Sequence, residues 1–456
     1  MPAPPVGPLV VDGVLDSLLA ALTPPGYPCS YPAPVPATPP DSIRDHAPGE
    51  GAPTSSARPR GSRALRVLTV WTAATLVTFV LARLGAQDTP ATPWGGASPS
   101  WQEHLAFWDS GWYERIAREG YPTTLPVGAD GTVSQNAWAF MPMLPWLAGL
   151  LSWTGLGFYV RAALVSLIAS AGAAVIMDQW LEPRVGGRVS LWGVALAWSA
   201  APALVLQVPY AESLGLLLVG SVMLLADRRL FLRAVPLVLL AALARPVGVP
   251  LAAGLGLWWL LELLAARSDG SAWSARLAVL LPGDARLSGA ERVRLLALTA
   301  VSALSALAWP VIAWVTTGRS DAYTASETAW RGTSLTPFLP WLDRGGWWAG
   351  DHLGPILLLG VLALTVLALA APAARRLGAA AWCWCVGYVL YLLAFFDPTA
   401  SLIRVLLPLA PLGWAAASSV RSRRARLALL AAGVVAQVLW ISWVWDLGTV
   451  SVQWVP

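Results

Sequence analysis

The residue types best suited to chemistry cluster in one short stretch. It reads Phe107-Trp108-Asp109-Ser110-Gly111-Trp112-Tyr113-Glu114, then Arg115-Ile116-Ala117-Arg118-Glu119-Gly120-Tyr121. Asp109 stands between bulky aromatics. Apolar neighbours strip water from a carboxylate and make it a better proton acceptor. That suits a general base working near neutral pH. Ser110 to Glu119 reads as a short amphipathic helix, with Tyr113, Ile116 and Ala117 on one side and Arg115, Arg118 and Glu119 on others. Asp109 therefore also occupies the place of a helix N-cap. Spacing alone does not separate cap from base.

Three further charges stand in apolar surroundings, where charge is costly and often functional. Glu212 lies in Tyr210-Ala211-Glu212-Ser213, Arg245 in Leu243-Ala244-Arg245-Pro246-Val247-Gly248, and Arg404 in Ser401-Leu402-Ile403-Arg404. If all three face the side of Asp109, two guanidiniums and two carboxylates would suit an anionic phosphate and a hydroxyl nucleophile. The bland alternatives are arginines snorkelling at helix ends and an intramembrane ion pair for Glu212. His104, five residues before Asp109, could touch a phosphate or be a loop histidine with no role. A divalent ion would need Asp109, Glu114 and Glu212 to converge, and no Asp-x-Asp pair occurs near Asp109. No metal or other cofactor is expected. No P-loop, dinucleotide fingerprint, His-Glu zinc motif or nucleophile elbow appears in a usable context. That argues against an ATP-driven machine.

The elements that must position these residues are membrane helices. The chain has 456 residues, 56% hydrophobic and only 12% charged, about half the charge of a soluble domain. Apolar runs long enough to cross ~30 Å of hydrocarbon recur along most of it. They do not alternate as barrel strands do, so the spans are helices. All 30 basic residues are Arg. They cluster between the apolar runs, which reads as topology rather than nucleic-acid binding. Cys383 and Cys385, two apart in an apolar run, are expected to be core residues, and Cys29 lies in the tail.

Residues 1–63 read as a disordered Pro/Ala-rich cytoplasmic tail with an apolar patch near Leu9–Leu22. Residues 64–450 read as the membrane domain. Spans are expected at about 67–85, 158–180, 189–207, 211–226, 232–248, 250–266, 293–315, 354–372, 379–396, 402–420 and 427–446. Arg58, Arg60, Arg63 and Arg66 place the N-terminus in the cytoplasm, and about eleven crossings leave the C-terminus outside. Pro142 and Pro145 break the run at 139–156, which is expected to be interfacial or re-entrant. Two long external loops follow, 87–157 and 316–353. They hold Trp101, Trp108, Trp112, Trp138, Trp330, Trp341, Trp347 and Trp348. Aromatics at this depth anchor helices at the interface or stack on a ligand.

Several blocks resemble one family in order. Trp108-Asp109-Ser110-Gly111-Trp112-Tyr113, Ile116-Ala117 and Gly120-Tyr121 look like the first luminal loop of the GPI mannosyltransferase 2 (PIG-V) family. Ala139-Phe140-Met141-Pro142-Met143-Leu144-Pro145 is similar to its Ala-Phe-Phe-Pro segment, with Met141 replacing the second Phe. Pro209-Tyr210-Ala211-Glu212-Ser213-Leu214, Ala244-Arg245-Pro246-Val247-Gly248 and Ile403-Arg404-Val405-Leu406-Leu407-Pro408 resemble later elements, although an Asn of the second is absent here. The resemblance covers about 108–408. It implies a bacterial GT-C-type membrane glycosyltransferase that moves a sugar, mannose first, from a polyprenyl-phosphate donor with inversion. The acceptor would be a glycolipid, a glycan or a protein, and the membrane the plasma membrane. It implies Asp109 as the catalytic base. Arg245 and Arg404 would bind the phosphate, Trp108, Trp112 and Tyr113 would shape the sugar site, and Glu114 and Glu212 would line it. The rival readings are a transporter or flippase for lipid-linked sugars and a non-catalytic scaffold. A transporter has no need of the long loop around Asp109 and often carries internal repeats, which this chain lacks.

Overall fold

A computed structural model describes residues 60–92, 95–267, 286–331 and 336–445. The expectations for the bulk of the tail, the Leu9–Leu22 patch and Cys29 fall outside the described residues, as do 268–285 and the C-terminus beyond 445. The tail ends sooner than expected, because the first helix, α1, already begins at Arg60 and runs Arg60–Gly85. Its first turns are closed by Arg66, whose Nε donates to the Ser62 carbonyl.

The described residues are helical and contain no strand, only two isolated bridges. After α1 come α2 (Ser110–Glu119), α3 (Met143–Leu150), α4 (Phe158–Val185), α5 (Gly187–Trp198), α6 (Glu212–Asp227), α7 (Phe231–Ala244) and α8 (Gly248–Ala266). Then follow α9 (Gly289–Ser305), α10 (Ala308–Thr317), α11 (Ala322–Arg331), α12 (Leu339–Ala370), α13 (Ala379–Phe395), α14 (Pro411–Ser419) and α15 (Arg423–Trp440). Among the described residues six helices are long and apolar enough to cross a membrane: Gly61–Gly85, Phe158–Val185, Gly248–Ala266, Gly289–Thr317, Leu339–Ala370 and Arg423–Trp445. A seventh is counted if Leu402–Leu409 and Pro411–Ser419, bent by 72°, form one broken span. The chain is a polytopic helical membrane protein.

That number is smaller than the eleven expected, and the reason is local. The apolar runs at 189–207, 211–226, 232–248 and 379–396 are present, but their helices stop short. α5, α6, α7 and α13 have 12, 16, 14 and 17 residues. At 1.5 Å per residue they reach about 18–26 Å, less than the ~30 Å of a bilayer core. α4 and α5 are parted by Gly186 at φ 82°. Pro202 and Pro209 follow α5, and Pro246 follows α7. The run at 139–156 holds only the eight-residue α3, about 12 Å long, so it cannot cross. α12 is two pieces, because Gly350 has φ 77° and breaks the helix before its apolar half.

Small residues let the helices approach closely, the usual device where lipid supplies no hydrophobic drive between helices. A Cβ on Gly387 of α13 would collide with the backbone of Gly254 in α8. One on Gly248 would come within 2.6 Å of the Ala306 nitrogen, and one on Gly193 would enter the Trp414 ring. The two long loops also share a small core with α10. Trp138 is 1% exposed and packs against Tyr121 and Trp309, and the Trp309 indole donates to the Trp138 carbonyl at 2.9 Å. The tryptophans of the loops therefore divide. Trp108 and Trp138 are buried inside the protein, whereas Trp146, Trp153, Trp347 and Trp348 remain exposed.

Candidate active site

Asp109 immediately precedes α2 in helical conformation, yet its side chain makes no capping hydrogen bond. The carboxylate turns instead to Arg404, whose Nη1 donates to Asp109 Oδ2 at 2.5 Å. The capping reading therefore fails, and the side chain serves a long-range partner. Trp108, just before it, is buried with φ at 58°. A bulky residue in the left-handed region is strained by about 1–3 kcal/mol, and such strain gathers at functional sites.

Arg404 reaches a second carboxylate. Its Nε lies 3.3 Å from Glu212 Oε1. The same oxygen accepts from Arg245 Nη1 at 3.0 Å. Asp109, Glu212, Arg245 and Arg404 thus form one charge-balanced quartet, as the sequence led us to expect. The Glu212 side chain is 4% exposed, Arg404 11%, Asp109 14% and Arg245 24%. The other Glu212 oxygen, Oε2, is buried with no hydrogen-bond partner. A lone buried charge would be prohibitive, so each member needs the others.

Local sequence explains each placement. Glu212 opens α6, where the positive end of the helix dipole favours a carboxylate. Arg245 follows the last residue of α7 in an extended conformation, forced by the proline behind it. Gly215 leaves room for the Arg245 stem, since a Cβ there would sit 3.0 Å from Arg245 Cγ. Arg404 sits in the one-turn helix Leu402–Val405, held by Tyr388 of α13, whose hydroxyl donates to the Val405 carbonyl at 2.7 Å.

Tyr210, which in the sequence stands out only as part of the Pro209-Tyr210-Ala211-Glu212 block, joins this site. Its hydroxyl accepts the Asp109 backbone N–H at 3.2 Å, and its ring lies 5.1 Å beneath the Arg404 guanidinium. Ser166 of α4 fixes it by donating to the Tyr210 carbonyl. Burial pushes the phenols of Tyr210 and Tyr113 well above their ordinary range. Both stay protonated at any physiological pH.

The remaining predicted residues divide. Tyr113 is buried and meets the edge of Phe140 at 5.4 Å. Trp112 stacks on Phe140 at 5.8 Å and meets Trp330 of α11 edge-on at 5.4 Å. Glu114 is not brought to the quartet. It turns towards Arg118 one helical turn on, at 3.6 Å. Asp109, Glu114 and Glu212 therefore do not converge, and among the described residues no three acidic, histidine or cysteine side chains are placed to hold a metal ion. His104 also stays apart. It is 2% exposed, boxed by Trp101, Phe107 and Trp445. Its ring nitrogens have no hydrogen-bond partner, and burial, with Arg83 nearby, lowers its pKa to about 4.

Such a quartet can bind an anion through its guanidiniums while presenting a carboxylate as proton acceptor. Comparisons with protein-family models, with curated proteins and with solved structures find nothing that matches this chain.

Proposed function

We propose that the chain is a GT-C-type membrane glycosyltransferase. It would move a sugar, mannose first, from a polyprenyl-phosphate donor to a hydroxyl of a glycolipid, glycan or protein on the external face of the plasma membrane. The N-terminus would lie in the cytoplasm. The observation that carries this reading is the Asp109–Arg404 pair, which joins the first loop to a segment 295 residues later. The order of the PIG-V-like blocks supports it, because the residues that carry the resemblance are those that meet in the quartet.

The chemistry is an inverting displacement. The donor phosphate binds Arg245 and Arg404 and competes with Glu212 and Asp109 for the same donors. That competition frees the Asp109 carboxylate. Asp109 takes the proton of the acceptor hydroxyl as its oxygen bonds to the sugar C1. The C1–O bond to phosphate breaks, and the phosphate leaves with the electron pair, its charge held by the two guanidiniums. The leaving group is already a stable anion, so no general acid is needed and no step passes through a metal.

Transfer from radiolabelled polyprenyl-phosphate-mannose, in membranes from overexpressing cells, tests this. Wild type should move label into a new lipid, glycan or protein fraction. Asp109→Asn should lower the rate by roughly 10²–10⁴, the usual contribution of a general base. Arg404→Lys keeps the charge but loses the planar fork that spans two carboxylates, and should also slow transfer by tenfold or more. Full activity of Asp109→Asn would remove the base assignment. Absence of transfer by wild type would turn the reading towards a lipid-linked-sugar transporter.

A further inference from the structure

The first piece of α12, before the break at Gly350, carries an arginine that no step of the chemistry uses. Arg344 grips Asp397 with both arms of its fork, Nε to Oδ1 and Nη2 to Oδ2, each at 2.8 Å. The Asp397 side chain is 6% exposed. A two-point pair of this kind fixes direction as well as distance. Three more bonds run beside it. The Trp341 indole donates to the Leu392 carbonyl at 3.0 Å, the Trp348 indole to the Pro398 carbonyl at 3.3 Å, and the Phe338 N–H to the Ala394 carbonyl at 3.3 Å. Trp341, Arg344 and Trp348 recur at i, i+3 and i+7, which is one face of a helix. Leu339, Leu342 and Trp347 point away from that face and are exposed. One face therefore holds this piece to the end of α13 and to the turn that follows it.

That turn leads to Arg404 through a short ladder of backbone bonds. The Thr399 N–H donates to the Asp397 carbonyl at 2.8 Å, the Leu402 N–H to the Thr399 carbonyl at 3.0 Å, and the Leu406 N–H to the Leu402 carbonyl at 3.0 Å. Arg404 lies inside the last of these turns. It must reach Asp109 and Glu212 at once, so a small shift of its backbone would cost it a partner. We propose that the Arg344–Asp397 pair is a clamp that sets Arg404 on its two carboxylates. Arg344 is then a positioning residue that acts through the 397–406 segment. That Arg404 goes on to hold a donor phosphate rests on the glycosyltransferase reading, but the clamp does not.

Hydrogen exchange of the 397–406 amides, on the full chain in lipid nanodiscs, tests the clamp. Arg344→Gln should speed exchange at Val405 and Leu406 by roughly tenfold or more, with the thermal transition retained. Trp348→Phe, which removes the bond to Pro398 and leaves the ion pair, should speed the same amides by less. Leu342→Ala, on the exposed side, should match wild type. In the mannose-transfer assay Arg344→Gln should lower kcat by roughly tenfold or more, and Arg344→Lys by less. On an Arg404→Lys background the further loss should stay under about twofold, because a residue acting through Arg404 then has little left to change. A merely structural role would slow both backgrounds alike. Exchange unchanged by Arg344→Gln, or additive losses in the double variant, would overturn the clamp. Faster exchange in a chain that transfers nothing would uphold the clamp and remove only the enzyme reading.

Discussion

Arg404 faces two carboxylates, and the charged members of its quartet were the ones most visible beforehand. Asp109, Glu212, Arg245 and Arg404 stand out because a charge among apolar residues must have a reason. Tyr210 and Tyr388 do not stand out, because a phenol inside an aromatic-rich chain looks like packing until its hydroxyl is seen at work. Glu114 misled in the opposite way. It is a charge beside the key Asp, but one residue of helix rotates it by about 100° from Tyr113, and it meets Arg118 instead. His104 carries a prediction at this scale. Its folded pKa of about 4 lies below the ordinary 6.5, so the unfolded chain binds more protons between those values. Stability from the neutral ring is fully present above pH 6.5 and is lost as pH falls towards 4, a swing of roughly 3 kcal/mol. Thermal unfolding in detergent should therefore shift down between pH 7 and pH 5. His104→Phe should flatten that slope, and an unchanged slope would show that the imidazole is not the cause.

Among the elements, helix type was easy to read and helix length was not. Hydropathy reports which residues tolerate lipid, whereas length is decided by breaks such as Gly186, Pro202 and the Arg245–Pro246 corner. Those breaks shorten α5 to α7, and one of them, the Arg245–Pro246 corner, presents a charge of the site. The short α3 was foreseeable because its prolines fall inside the apolar run. The α8–α13 contact was not, since Gly254 and Gly387 acquire meaning only as a pair. Gly387→Leu should force these helices apart and cost about 1–3 kcal/mol or more. Its melting temperature in detergent should fall clearly, whereas Gly360→Leu, at a position with open space around it, should melt like wild type.

For the molecule as a whole, the sequence pattern predicted two long loops; the structure joins them where Ser326 donates to Asn136 Oδ1, and seats Trp138 of the first against Trp309 of α10. The proposed orientation puts both loops on the outer side. With Cys29, Cys383 and Cys385 replaced by Ser, Trp153→Cys should react with a membrane-impermeant maleimide in intact cells. Arg424→Cys should react only after permeabilisation, and the reverse pattern would invert the orientation.

The bond between residues 109 and 404 also has a bearing on synthesis. Arg404 enters the membrane long after the carboxylates it neutralises. Until then Asp109 lacks its partner and Glu212 has only Arg245. A partly made chain therefore carries an unbalanced negative charge in apolar surroundings, and the site becomes electrically complete only when the late helices arrive. Under the proposed function, a chain that ends before Arg404 would therefore be inert, because its site would lack the late guanidinium.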